Sequence, residues 1–336
     1  VPGRRWPPIA LGLLAALSAV EVHAQERGFR LDRYDGTVAG SSLLLVDRPW
    51  YSSLQYVAAG LTLDYSHRPL EPAIATGRIG ITPIVEHALV GHVDVAGSLF
   101  DRVLLSASMP VTLLESGTAE VVSQIAPVGS VSAGDPRVGL IARLVGQAHR
   151  DPFSLHLGAD VWVPTGGQNT HQSDSSVRVL PRAVLAGIFS GLGRWTIDAG
   201  LLLRPYASYG PPALGMTAAS ELRLGLAVGA ALAGGRLYLG PEAQWSVQVV
   251  GANAFSTGGM SLEVLAGLSW LVGGGVTVSL AGGTGFFGAA GTPDARGLLR
   301  LTWAPRRDVD AVRPPPPPPP GGWGGGGGAP PAAPPP

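Results

Sequence analysis

The feature that most constrains this chain is a period-two alternation of apolar and polar residues that recurs along most of its length. From Phe153 to Val163 every odd position is apolar, while His156, Asp160 and Trp162 hold even ones. Trp195, Ile197, Ala199, Leu201 and Leu203 alternate with Thr196, Asp198, Gly200 and Arg204, and Leu222, Leu224, Leu226 and Val228 alternate with Glu221, Arg223, Gly225 and Gly229. Leu262, Val264, Ala266, Leu268 and Trp270 repeat the pattern against Ser261, Glu263, Gly267 and Ser269. Successive side chains of a strand point to opposite faces, so each segment predicts a strand with one apolar and one polar face. Each is long enough to cross a membrane, for which a tilted strand needs about 9–11 residues.

Twelve such segments can be drawn: 54–65, 84–98, 102–115, 135–147, 152–164, 176–189, 193–205, 218–232, 235–249, 258–271, 274–287 and 294–304. The gaps between them run long and short in strict alternation, from 66–83, 99–101, 116–134 and 148–151 to 288–293. Short turns at one rim and longer loops at the other belong to transmembrane barrels of the outer membrane. No apolar run after the N-terminal stretch is long enough for a transmembrane helix. The expected fold is therefore all-β, a transmembrane antiparallel β-barrel of twelve strands with both termini periplasmic.

The ends of the chain read differently. Arg4 and Arg5, an apolar run from Ile9 to Val20 and the close Val22-His23-Ala24 describe a secretory signal peptide over 1–24. Residues 25–53 are expected as a periplasmic N-terminal segment and 54–304 as the barrel. From Pro314 to Pro320 the chain is polyproline, followed by Gly-rich and Pro/Ala-rich sequence, so 305–336 reads as a Pro/Gly-rich periplasmic linker. A segment of this kind is expected either as a spacer to a further domain beyond Pro336 or as a frayed terminus.

Face parity sorts the charges. The inward set comprises Asp64, Glu86, Asp94, Asp160, Asp198, Glu221, Glu242 and Glu263 against Arg137, Arg143, Arg178, Arg182, Arg204, Arg223, Arg296 and Arg300, with His92 and His156 beside them. Facing lipid near the midplane, an Arg costs roughly 2–4 kcal/mol, so the polar face must be the lumen. These groups either line a pore or fill the interior as ion pairs, and eight arginines in a twelve-strand barrel point to a narrow or occluded lumen. Tyr65, Phe153, Phe189, Trp195, Trp270, Phe286 and Trp303 have outward parity near strand ends, the positions of membrane-girdle aromatics. Pro110, Pro181 and Pro241 fall inside predicted strands, where a missing N–H predicts bulges.

Composition excludes several chemistries. Charged residues are 14% of the chain, net charge is zero and all 23 basic residues are Arg. That balance offers no electrostatic footprint for nucleic acid. Without Cys there is no disulfide, thiolate metal site or thiol nucleophile. Gly283-Thr-Gly-Phe-Phe-Gly288 matches a dinucleotide fingerprint by letter, but no helix is predicted after it to hold a pyrophosphate. Glu86, His92 and Asp94 share one inward face, and His92 with Asp94 could form a base and its orienter if a serine lay in reach. A lumen histidine solvated beside a carboxylate is the commoner arrangement. No metal-ligand spacing stands out, and the chain is expected to be no enzyme, without cofactor or metal.

Phe29-Arg-Leu-Asp-Arg-Tyr-Asp35, Leu61-Thr-Leu-Asp-Tyr-Ser-His-Arg-Pro-Leu70, Val85-Glu-His-Ala-Leu-Val-Gly-His92, Phe100-Asp-Arg-Val-Leu-Leu105, Gly134-Asp-Pro-Arg-Val-Gly-Leu140 and Ser176-Val-Arg-Val-Leu-Pro-Arg182 carry a resemblance. They are similar to the N-terminal barrel of OmpA-family outer-membrane proteins of the myxobacterial type, over about 29–304. The resemblance implies location in the outer membrane of a Gram-negative bacterium and an envelope-structural role with a small pore. The alternative is a porin-like diffusion channel for small solutes. In that family a Pro-rich linker leads to a peptidoglycan-binding domain that this sequence does not contain, so peptidoglycan is a partner only through a further domain. The remaining expected partners are outer-membrane lipid and a small solute in the lumen.

Overall fold

The structure is a computed structural model that describes residues 29–51, 56–71, 83–119, 126–167, 171–209 and 216–304. The expected signal peptide and the Pro/Gly-rich linker lie outside the described residues.

Twelve antiparallel strands close into a barrel. They are β1 (Tyr56–Leu70), β2 (Val85–Leu99), β3 (Val103–Ser116), β4 (Arg137–Val145), β5 (Ser154–Trp162) and β6 (Arg178–Phe189). The second half comprises β7 (Gly193–Leu202), β8 (Glu221–Leu232), β9 (Leu237–Gln248), β10 (Met260–Gly273), β11 (Val276–Phe286) and β12 (Ala295–Trp303). Each strand pairs with its neighbours in sequence, and β1 closes the cylinder against β12 from Ala59↔Trp303 to His67↔Ala295. Closure leaves no unpaired sheet edge, the condition for a strand structure in hydrocarbon.

Every segment drawn from the alternation corresponds to one strand, with ends shifted by a few residues. The largest shift is in β1, which continues five residues past Tyr65 to Leu70. At one rim the strands join through short connections such as 100–102, 190–192, 233–236 and 274–275, and at the other through long loops such as 117–136, 163–177 and 203–220. Two short ribbon strands, Ala207–Tyr209 and Met216–Ala218, pair within one of these loops.

The three prolines do not make bulges. Ala159↔Pro181 and Pro241↔Ala266 lie within unbroken register, and the register shifts fall at His67/Leu70, Leu89/Val90, Arg143/Val145 and Leu271/Gly273 instead. Pro110 sits where β3 leaves β4, whose last pair is Ser108↔Arg137, and picks up the short bridge Val111↔Ala133. A residue without an N–H is tolerated there because the ladder changes partner.

Burial is inverted relative to a water-soluble domain. Val57, Leu61, Val93, Val95, Leu226, Leu268, Leu280 and Leu301 are exposed outward, whereas Asp64, Asp160, Arg178, Glu221 and Arg300 are buried inside. The girdle aromatics follow parity: Tyr65, Phe153, Phe189, Trp270, Phe286 and Trp303 are exposed, and Trp195 is partly so, donating from Nε1 to the Pro152 carbonyl at 3.2 Å. Amphipathic rings at both rims suit the headgroup zones.

The segment expected outside the barrel lies within it. Residues 29–51 contain no helix or strand, yet Leu31, Tyr34, Thr37, Val38, Ala39, Leu43 to Val46 and Asp47 are buried. Phe29 and Leu31 pack with Leu70, Ile84, Val85 and Ala218 at the long-loop rim. Trp50 and Tyr51 pack against a cluster containing Ala58, Ala96, Leu104 and Ile141 toward the short-turn rim. The segment thus runs down the whole lumen before β1 turns back up through the wall. The first described residue stands at the long-loop rim, whereas Ala304 bonds to the Gly275 carbonyl in a short turn, so the described ends lie at opposite rims. Two glycines make room for the segment. Gly40 holds φ +91° with the Trp50 ring against it, and a Cβ on Gly225 of β8 would stand 2.9 Å from the Val46 side chain.

Leu226 lies mid-strand on the lipid face of β8. Replacing it by Arg is expected to cost about 2–4 kcal/mol of barrel stability, measured by denaturant titration in lipid vesicles. The same change at the rim-located Trp270 costs about 1 kcal/mol or less in charge burial.

Candidate functional site

The site is the lumen, formed by inward residues of all parts of the wall and by the segment 29–51, here called the plug. Three wall charges take their hydrogen bonds from the plug alone among the described residues. Glu242 of β9 accepts from the backbone N–H groups of Leu44, Leu45 and Val46 at 2.9, 2.7 and 3.0 Å. Successive N–H groups converging on one carboxylate form an anion-binding nest. Arg300 of β12 donates to Thr37 Oγ1 at 2.5 Å and to the Thr37 carbonyl at 2.7 Å. Arg137 of β4 donates to the Gly36 carbonyl.

Plug charges in turn find wall partners. Arg33 reaches Glu221 and Ser246, each at 2.7 Å. Asp35 bridges Arg30 at 2.6 Å and Arg223 at 2.8 Å. Asp47 accepts from Arg182 at 2.6 Å, and the same guanidinium reaches Asp198 at 2.7 Å and Asp160 at 3.0 Å. Near the short-turn rim Arg48 donates to the carbonyls of Ala148, Gly187 and Trp195. Only Arg has a rigid fork that can satisfy several oxygens at once. Arg296 shows it most fully, spanning Glu263, Asp64 and Asp32.

At the long-loop rim Asp174 ties Arg178 and Arg204 together and accepts from the Arg30 N–H at 2.9 Å. Burial pushes its carboxyl up, but Arg204, Arg178 and the Arg30 bond outweigh that and hold it down at about 2.

Most sequence-predicted lumen residues meet here. Asp64, His92, Asp94, Arg137, His156, Asp160, Arg178, Arg182, Glu221, Glu242, Glu263, Arg296 and Arg300 are buried, and Arg143, Asp198, Arg204 and Arg223 are nearly so. Glu86 departs from the expectation: it has inward parity but is exposed at the long-loop end of β2. The register slips between His67 and Leu70 opposite it, so that Val85 rather than Glu86 takes the inward position and packs with Phe29 and Leu31. Missing from the sequence reading were Arg30, Asp32, Arg33, Asp35, Asp47 and Arg48, whose segment has no period to mark it.

Among the described residues no serine is hydrogen-bonded to His92, whose Nε2 faces Asp32 Oδ2 at 3.5 Å. A serine does adjoin His156. Tyr51 Oη lies 2.9 Å from His156 Nδ1, His156 Nε2 lies 2.9 Å from Ser154 Oγ, and Ser154 donates to the Ala186 carbonyl at 2.7 Å. The hydroxyl proton is committed to a carbonyl, so Nε2–H donates to Oγ and Tyr51 donates to Nδ1. That proton order is opposite to a nucleophile activated by its base, and both Ser154 and His156 are fully buried. The chain Tyr51–His156–Ser154 tethers the plug to the wall.

Two outcomes follow for the plug. Glu242→Leu leaves three buried N–H groups without an acceptor and is expected to destabilise the seated plug by on the order of 3 kcal/mol, seen as protease cleavage within 29–51 while the barrel stays intact. Asp174 has a depressed folded value, so its contribution is present above the unfolded carboxyl value of about 4 and is lost as pH falls through about 2. The Arg30 amide resonance should therefore be unchanged on acidification to about pH 4 and shift only below it.

No protein-family model matches the sequence, and no curated protein matches it. Among solved structures, an outer-membrane channel from Pseudomonas putida F1 is similar with a TM-score of 0.58 at 12% identity, covering 77% of this chain and 99% of that one. The NanC porin covers 75% of this chain and 99% of its own at 9% identity and TM-score 0.46. LpxR from Salmonella typhimurium covers 73% and 99% at 11% identity and TM-score 0.40. With the closed wall and its inverted burial, the first of these likenesses establishes the fold: a closed twelve-strand antiparallel β-barrel of the outer-membrane type.

Proposed function

We propose that this protein is a channel for small hydrophilic solutes, held closed by its own N-terminal segment. The observation that carries the reading is the plug: an irregular strand-free segment spans the lumen and is attached to the wall by side chains rather than by a sheet ladder. A barrel built only to be rigid could fill its interior with wall residues, as smaller barrels do. In this reading the long loops face outward from the cell and the short turns face the periplasm. The lumen is lined by both signs of charge, which suits polar or zwitterionic solutes over apolar ones.

The second reading is an envelope-structural barrel related to the OmpA family. It is favoured by the ion pairs around Arg182 and Arg296, each of which meets three carboxylates. Single-channel recording in planar bilayers separates the two. The full chain is expected to show low conductance with rare openings, and deletion of residues 29–50 to raise it at least tenfold. A folded deletion variant that stays silent would assign the structural role.

A further inference from the structure

The plug and the wall meet at a cluster that ion pairing leaves incomplete. Asp32 comes from the plug, Asp64 from β1 and His92 from β2, and one ligand atom of each lies within 4.8 Å of the other two. Arg296 occupies one oxygen of each carboxylate, Asp32 Oδ1 at 3.4 Å and Asp64 Oδ2. The other oxygens, Asp32 Oδ2 and Asp64 Oδ1, are buried without a hydrogen-bond partner, and so is His92 Nε2. The His92 side chain is only 2% exposed, and its free Nε2 faces the free Asp32 Oδ2 at 3.5 Å. A buried donor or acceptor left unpaired costs on the order of 1–3 kcal/mol, and three orphans from three segments at one point call for a shared partner.

Charge points to a cation. Asp32, Asp64 and Glu263 surround Arg296, and Asp94, two residues beyond His92 on the same face of β2, has no hydrogen-bond partner on either oxygen. The other guanidinium groups stand back: Arg30 is 3.7 Å from Asp32 Oδ2 and Arg300 is 3.7 Å from Asp94. Four carboxylates thus face three arginines around a histidine.

We infer that Asp32, Asp64 and His92 form a site for a borderline divalent transition-metal ion, of which Zn²⁺ is the probe, joining the plug to the wall. One imidazole with two carboxylates suits such an ion, whereas Ca²⁺ and Mg²⁺ prefer all-oxygen shells. Bonds of about 2.0–2.2 Å require the three atoms to draw together by roughly 1 Å, within reach of side-chain rotation. The site stands on this geometry and does not require that the lumen conduct, so a silent channel leaves it intact.

The test uses the full chain, refolded in detergent, stripped with a chelator and titrated with ZnCl₂ by calorimetry, with bound metal counted after dialysis. One equivalent is expected to remain bound, with no retention of Mg²⁺ or Ca²⁺. His92→Gln and Asp32→Asn should each weaken binding at least tenfold while keeping the heat-modifiable mobility of a folded barrel. A His67→Ala/His87→Ala variant should bind as the parent does, because that outward cross-strand pair, Nδ1 to Nδ1 3.5 Å, is the rival surface site. Absence of bound zinc overturns the inference, as does zinc retained by folded His92→Gln or lost only with His67 and His87.

Discussion

The structure depends on the pairing of guanidinium groups that cannot reach lipid and hardly reach water. Burying a charge without partners costs several kcal/mol, so each inward Arg dictates what must stand within about 3 Å of its fork. Part of that demand is met within the wall, as where Arg182 of β6 holds Asp160 of β5 and Asp198 of β7. Loop carboxylates meet another part, as where Asp174 holds Arg178 and Arg204, and the rest is met by the plug. Arg300, Arg137 and Glu242 hydrogen-bond to Thr37, Gly36 and the Leu44–Val46 amides, and with the plug absent they would face a cavity. The balance of inward acids and bases is therefore not a set of wall-to-wall pairs.

The dependence runs both ways. A segment without helix or strand carries unpaired backbone N–H and C=O groups, and such backbone is tolerated at membrane depth only where protein or water satisfies it. Glu242 takes three of its N–H groups, Arg300 and Arg137 take two of its carbonyls, and Ser269 donates to the Ser42 carbonyl at 2.7 Å. Wall side chains replace the ladder that the plug does not form.

This division explains what could be read from the residues. Strand number, order and facing follow from a local, repeated constraint, since each strand meets lipid on one side and lumen on the other. Leu222, Leu224 and Leu226 against Glu221 and Arg223 declare that constraint within six residues. The plug obeys no such rule. Its burial comes from contacts nearly two hundred residues away, as between Leu44 and Glu242, and its Asp32-Arg33-Tyr34-Asp35 stretch has the polarity of a surface loop. Glu86 fails for a related reason, because the register slip opposite it breaks the alternation and no local pattern marks that slip. Asp32, Asp64 and His92 have no ligand spacing to detect, since closure of β1 and β2 around the plug assembles them. The Tyr51–His156–Ser154 relay was half visible, as Ser154 and His156 share an inward face, but the tyrosine that orients the ring is again a plug residue.

If the proposed channel opens by withdrawal of the plug, the same reciprocity sets how it does so. Withdrawing the plug dry would expose Glu242, Arg300 and Arg137 to a cavity, a loss of several charge-assisted bonds at once. Water must enter as the plug leaves, and the polar wall can be wetted because those groups already require partners. The difference between closed and open is then that between plug bonds and hydration, a small remainder of large terms. An apolar plug in an apolar lumen would lack this exchange, since water gains little there. A charged lumen with an irregular, charged plug is thus a physically consistent way to be closed without being sealed.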